Sequence, residues 1–260
     1  MSKAPALRLD RLLANLGYGS RRELQIMARN GRIRLNGEVV RDIDERVPLT
    51  SEYAARLTFD GEAIDPLPGV VLMLNKPLGV TCSHKDSGPL VYRLLPDRWQ
   101  KREPKISAVG RLDKETSGLL LMTDDGAFLH QIISPRRHIP KRYLATLDRP
   151  LRGDEAEIFG SGELMLDGEE KPLLPATLEK ISPHEAALTV TEGRYHQVRR
   201  MFAAVKNHVT ALHRVSIGGL RLPEDLEPGR YIVLDATQRA AIMSGVPDAG
   251  ALTKSPAEER

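Results

Sequence analysis

This chain has one cysteine, few aromatic residues and no long apolar run. Cys82 stands alone among 260 residues, which excludes an internal disulfide and a paired-cysteine metal knuckle and leads us to expect a reduced, cytoplasmic setting. No stretch approaches the ~18 apolar residues of a membrane helix, and the basic, proline-containing start from Met1 to Arg11 has no secretory core, so no membrane partner is expected. Aromatics make up 4% of the residues, too few for a protein that grips single strands through many stacking platforms. The seven histidines form no His-Glu-x-x-His pattern and no Cys/His quartet, so we expect no metal. Walker loops, nucleophile elbows and internal repeats are also missing.

What is present is enough chain, 41% hydrophobic and 28% charged, to build one large domain or two smaller ones. The charge is unevenly divided. Residues 1–50 hold ten Lys/Arg against six Asp/Glu, a net +4, whereas the remainder is close to neutral at −1. That asymmetry fits a small polyanion-binding unit ahead of a larger neutral body, although fifty residues can reach +4 by fluctuation alone.

Leu9, Leu12, Leu13 and Leu16 fall at i, i+3, i+4 and i+7, the stripe of an amphipathic helix, with Gly17 as its stop. Ser20 to Glu23 reads as a capping box opening a second helix through Leu24, Met27 and Ala28, which ends near Asn30-Gly31. Two short alternating runs then flank Asn36-Gly37, a type I′ hairpin signal. Arg21 and Arg22 lie at the start of the second helix, where free backbone N–H groups favour anions. Arg32 and Arg34 share one face of the hairpin strand. These four arginines fit a solvated surface, or a phosphate-binding face that follows RNA shape rather than base sequence.

The turn- and proline-rich segment 61–69 reads as a linker. After it, Val70 to Leu74 has the character of a buried strand, closed by Asn75-Lys76-Pro77. A polar loop, Gly110-Arg111-Leu112-Asp113, leads through Thr116 into a second apolar run, Leu119 to Met122, and a turn at Asp124-Asp125-Gly126. A carboxylate on a loop fixed by a rigid strand is well placed for chemistry; by composition alone Asp113 equally suits a turn or a cap. Tyr143, Ala145 and Leu147 share one strand face. In 195–205, Val198, Met201, Phe202 and Val205 form an apolar helix face, with Arg199 at its edge and Arg200 nearly opposite. The Gly-, Pro- and charge-rich end, 241–260, reads as a disordered tail.

Two resemblances bring these residues together. The stretch from Arg8-Leu-Asp-Arg-Leu-Leu-Ala-Asn to Arg32-Ile-Arg-Leu-Asn-Gly-Glu-Val-Val40 resembles an S4 RNA-binding domain. Gly110-Arg-Leu-Asp113-x-x-Thr116-x-Gly118-Leu-Leu-x-x-Thr123-x-Asp125-Gly126 is similar to the pseudouridine synthase signature. Asn75-Lys76-Pro77-x-Gly79, Lys141-Arg142-Tyr143 and Glu192-Gly-Arg-Tyr-His-Gln-Val-Arg-Arg-Met-Phe202 resemble that family's other motifs, in the family's order. Tyr195-His196, Leu212-His213-Arg214 and Ile217-Gly218-Gly219 resemble the branch acting on small-subunit ribosomal RNA.

The resemblance implies an α+β fold: a small S4-like α/β RNA-binding module (residues 1–60), a linker (61–69), and a catalytic domain (70–240) with a mainly antiparallel mixed β-sheet flanked by helices. It implies isomerisation of a flipped-out uridine in small-subunit ribosomal RNA. The reaction changes neither composition nor oxidation level, so no cofactor is expected. Asp113 would be the catalytic carboxylate and Arg199 the cation that keeps it ionised. Tyr143 would stack on the uracil, while Lys76, Arg111 and Arg200 would join Arg21, Arg22, Arg32 and Arg34 as RNA contacts. Arg111 also suits a structural salt bridge. The expected partner is ribosomal RNA, free or in a partly assembled particle, with the protein a monomer. A large-subunit target, or a silent RNA-binding assembly factor, would carry many of the same motifs.

Overall fold

The computed structural model describes residues 5–83 and 88–245. Of the expected tail, 246–260 lie outside them. The described residues fall into two compact units: the chain through Arg137 together with Glu224–Leu234, and His138–Pro223 together with the chain from Asp235 on. Among the described residues no helix is long and apolar enough to cross a membrane.

The first unit begins with β1 (Ala6–Arg8), α1 (Leu9–Asn15) and α2 (Arg21–Arg29). The leucine stripe does what its spacing demands, since Leu9, Leu12, Leu13 and Leu16 are at most 1% exposed. The capping box of α2 forms: Ser20 Oγ accepts from the Glu23 N–H at 3.3 Å, and the Glu23 carboxylate accepts from the Ser20 N–H at 2.7 Å. Strands β2 (Ile33–Leu35) and β3 (Glu38–Val39) make the expected hairpin. Asn36 and Gly37 take φ of 52° and 81°, the left-handed pair a type I′ turn requires. After β4 (Arg46–Pro48) and α3 (Ser51–Ala54), β5 (Leu57–Phe59) and β6 (Glu62–Ala63) complete a four-stranded antiparallel sheet in the order β3-β2-β5-β6.

Segment 61–69 is fastened along its length. Asp65 forms a bidentate ion pair with Arg98 at 2.6 and 2.9 Å, and its N–H donates to Tyr18 Oη at 3.0 Å. The Arg98 guanidinium also lies 4.4 Å from the centre of the Tyr18 ring. Arg102 donates to the Pro66 carbonyl at 2.9 Å and to Asp124 at 2.7 Å, and the Gly69 N–H donates to Asp124 at 2.7 Å. At Gly17 (φ +88°) a Cβ would stand 2.3 Å from the Arg98 carbonyl oxygen, so only glycine ends α1 against this neighbour.

β7 (Val71–Lys76) is buried throughout and pairs antiparallel with β9 (Ser117–Thr123), from Val71↔Thr123 to Lys76↔Gly118. β8 (Ser107–Val109) also pairs with β9, and the strand Tyr231–Val233 with β7. Asp124-Asp125-Gly126 is more than a turn. Asp125 caps α4 (Gly126–Ile133) by accepting from the N–H groups of Ala127 and Phe128, while Asp124 is buried against Arg102.

The second unit is an antiparallel sheet in the order β11-β12-β10-β13, built from β10 (Lys141–Leu147), β11 (Thr177–Ser182), β12 (Glu185–Val190) and β13 (Val209–Ile217), with β14 (Leu220–Arg221) on β13. Helices α5 (Glu155–Gly160) and α6 (Gln197–Ala204) meet through Phe159 and Phe202, edge to face at 5.3 Å. Residues 241 and 242, assigned to the tail by composition, close α7 (Ala236–Ile242), and Ile242 is fully buried. The reason is a contact with a distant part of the chain: Gly219 donates to the Ala241 carbonyl at 2.8 Å, and a Cβ on Gly218 would collide with the Ile242 carbonyl. Composition cannot register such a contact. The architecture is α+β, as the motifs imply.

Arg102 and Asp124 are each about 1% exposed in their side chains. Removing one partner of such a pair leaves an unanswered charge in a medium that solvates it poorly, at about 3–5 kcal/mol. Asp124→Ala should therefore lower the unfolding free energy by about that amount in urea titration; a loss below about 1 kcal/mol would contradict the pairing as a support of this unit.

Candidate active site

The loop bearing Asp113 is sewn to the strand beside it. Leu112 is buried, Asp113 half-buried and Arg111 exposed, so the chain anchors one side chain and turns the two flanking ones outward. The Asp113 carbonyl accepts from the Thr116 N–H at 3.1 Å, closing a tight turn. Below it sits Lys76, fully buried at the end of β7. Its ammonium donates to the carbonyls of Thr116 at 2.8 Å and Pro77 at 3.0 Å, with Lys114 at 3.5 Å. The Gly79 N–H adds a bond to the Lys114 carbonyl at 3.0 Å. A cation shut away from water needs such oxygen partners, and these belong to the two segments it joins. Lys76 is thus a strut of the Asp113 loop, which corrects its assignment as an RNA contact: a side chain with no exposed surface cannot meet phosphate.

In the second unit Tyr143 stands on β10 directly across from Arg214 on β13, next to a bulge between Arg142 and Tyr143. Arg214 is only 3% exposed. It donates to Tyr143 Oη at 3.3 Å, and its guanidinium carbon lies 5.8 Å from the ring centre. Lys141, two residues before Tyr143, donates to the Ile139 carbonyl at 2.8 Å. Burial, and then the nearby Arg214 charge, pull the Lys141 ammonium down to about 8. Burial likewise lowers His213.

Helix α6 presents Val198, Met201, Phe202 and Val205 to the core, all at most 6% exposed, which leaves Arg199 at the helix edge, as periodicity requires. Arg199 donates to the Val209 carbonyl, the first of β13, at 2.7 Å. The Arg200 side chain, 26% exposed, is engaged within its own unit. It binds Glu169 at 2.8 Å and donates to the carbonyls of Asp167 and Tyr195 at 2.5 and 3.3 Å. Arg194 grips Glu192, Glu169 and the carbonyls of Lys171 and Pro172. These two arginines, Arg200 first, hold the Glu169 carboxyl below its usual range. They are ties between the 167–172 segment and α6.

The head arginines divide. Arg22 is exposed, and Arg21 is 55% exposed, with its Nε 3.8 Å from the buried Asp10. Arg32 is tied to Asp60 by two bonds of 2.5 and 2.6 Å, above the Phe59 ring at 5.1 Å. Arg34 donates to the Gly37 carbonyl at 3.0 Å. At the start of α2 the capping box engages the N–H groups of Ser20 and Glu23.

A family described as RNA pseudouridylate synthase matches residues 70–204, and the S4 domain matches residues 7–52. The chain belongs to the RNA pseudouridylate synthase family. Ribosomal small subunit pseudouridine synthase A of Escherichia coli (strain K12) is 42% identical to this synthase over 241 residues, 91% of this chain and all of that protein. The protein of the same name from Pasteurella multocida (strain Pm70) is 38% identical over 236 residues, 90% of this chain and 98% of that one. A crystal structure of a pseudouridylate synthase matches with a TM-score of 0.64 at 37% identity, covering 91% of this synthase and 99% of that chain.

Sequence reasoning passed over Arg214, Lys141 and Glu169 as site neighbours. Arg214 left a usable signal: a lone cation inside the apolar strand Val209–Ile217 must find a partner if the strand is buried. Glu169 left none, lying in an acidic stretch that reads as solvated surface.

Lys141 gives the synthase a specific pH signature. Its folded-state value, about 8, is below the ordinary 10.5, so between those limits the unfolded chain binds more protons and stability from this group rises with pH. Below about 8 both states are charged and its burial cost is felt in full. A 13C titration of the Lys141 Cε should show a midpoint near 8, and Lys141→Met should remove the rise in stability between 8 and 10.5. A midpoint above 10 would contradict it.

Proposed function

We propose that this protein converts a specific uridine of small-subunit ribosomal RNA to pseudouridine. The observation that carries the reading is the coexistence on one chain of an S4 head and the full set of synthase motifs, along the whole length of relatives bearing the small-subunit name. In the reaction the N1–C1′ bond breaks, the uracil turns, a C5–C1′ bond forms, a proton leaves C5 and N1 gains one. Uridine inside a stacked helix is out of reach, so the nucleotide must flip out.

In this reading Asp113 is the catalytic carboxylate, acting covalently or by removing a ribose proton, and Arg199 is the catalytic cation of the third motif. Tyr143 stacks on the flipped uracil and its oxygen accepts the proton leaving C5; Arg214 donates to that oxygen and holds the ring in one orientation. Lys76 keeps the Asp113 loop in one conformation, so little reorganisation is left for the reaction itself. Arg111, exposed beside Asp113, meets RNA near the vacated stack. Residues 1–60 act as the S4 head, with Arg21 and Arg22 on phosphates, 61–69 join it to the catalytic domain at 70–240, and Arg32 and Arg34 contribute through their exposed edges. A single chain works in the cytoplasm on ribosomal RNA, free or in a partly assembled particle.

The purified protein should form pseudouridine in a small-subunit transcript or assembly intermediate. Asp113→Asn should bind that RNA with unchanged affinity and form none, as read by pseudouridine-specific chemical treatment and primer extension. Conversion by Asp113→Asn at near the wild-type rate would remove Asp113 from the mechanism, and a wild type active only on large-subunit RNA would overturn the target.

A further inference from the structure

Among the large hydrophobic and aromatic side chains described, Tyr195 is by far the most exposed, at 75% against 59% for Leu78, the next. An aromatic ring left in water forgoes the favourable burial of its apolar surface. This one is nonetheless ordered. It stacks on the His196 imidazole with ring centres 3.9 Å apart and planes 15° from parallel. His196 itself adopts the left-handed conformation, φ 50° and ψ 32°, which is strained for a non-glycine residue and persists only where its surroundings enforce it.

The enforcement is visible on both sides of the pair. The Arg194 N–H donates to the Gln197 side chain at 2.9 Å, and the Gln197 N–H to the Arg194 carbonyl at 3.2 Å. Arg200 donates from its side chain to the Tyr195 carbonyl at 3.3 Å and from its backbone to the His196 carbonyl at 3.0 Å. The chain enters this loop from β12, whose last residue, Val190, is paired with Lys141, two residues from Tyr143; it leaves into the helix that bears Arg199. The stack is therefore a rigid two-ring shelf between two motif segments of one unit.

We infer that Tyr195, backed by His196, is a landing platform for an unpaired nucleobase of the substrate strand next to the target uridine. This inference rests on the reading of the protein as a uridine-flipping enzyme. Flipping one nucleotide unstacks its neighbours, and an exposed aromatic face recovers stacking for a displaced base of any identity. A ring already held flat on an imidazole loses little conformational freedom when the base arrives. Tyr195 is thus a substrate-positioning residue that adds affinity near the reacting nucleotide without taking part in bond making.

The test compares the full-length wild type with Tyr195→Ala and Tyr195→Phe on a small-subunit transcript that the wild type modifies. Stacking of one base supports an increase in KM of about tenfold for Tyr195→Ala, with kcat and melting temperature close to wild type and Tyr195→Phe near normal. An unchanged KM in Tyr195→Ala overturns the platform. So does a Tyr195→Phe defect as large as that of alanine, which would assign the role to the hydroxyl. A wild type inert on every ribosomal RNA tested overturns the functional reading and the platform with it, whereas a wild type that works beside an indifferent Tyr195→Ala overturns the platform alone.

Discussion

Lys76 carries a charge with no exposed surface, and the oxygen atoms that answer it fix the loop on which Asp113 stands. An ammonium in a dry interior needs oxygen partners close by. Here those carbonyls come from Pro77, Lys114 and Thr116, so the charge cannot be satisfied unless the loop takes one shape. The same constraint recurs in Arg102, buried against Asp124 and Pro66, and in Arg214, buried beside Tyr143. Each buried cation binds together segments distant in sequence, and each does so in one geometry. Water could satisfy these groups in many ways; the interior offers a single one.

This division of labour runs through the family motifs. Asn75-Lys76-Pro77-x-Gly79 sits with Asp113 in sequence order because it is the underside of the Asp113 loop. In Glu192-Gly-Arg-Tyr-His-Gln-Val-Arg-Arg, four polar side chains, Glu192, Arg194, Gln197 and Arg200, hydrogen-bond to one another or to the 167–172 segment. Tyr195 is left facing outward and Arg199 at the helix edge. Most charged residues in these motifs are scaffold, and the few that remain are candidates for chemistry or for RNA.

What could be read from the sequence follows that physics. Periodicity located α1, α2 and α6 because burial of a stripe is a property of spacing, and the Asn36-Gly37 hairpin and the Ser20–Glu23 capping box followed because turn and cap chemistry is local. Lys76 was misjudged because a cation at a motif position looks the same whether its partner is a phosphate or a carbonyl forty residues away. The end of α7 was hidden for a similar reason: Gly218 and Gly219, more than twenty residues earlier, pack against Ala241 and Ile242. Asp113 itself was legible only through the family motif, since its composition and surroundings fit a turn equally well.

Exposed arginines on a well-packed head, a carboxylate on a braced loop, and a tyrosine beside a buried guanidinium are suited to an enzyme that binds RNA by shape and acts on one displaced base. The most direct test of that account is pseudouridine mapping of ribosomal RNA from cells with and without this gene. The account predicts loss of modification at one uridine of the small-subunit RNA. Loss confined to the large-subunit RNA, or an unchanged small-subunit pattern, would contradict it.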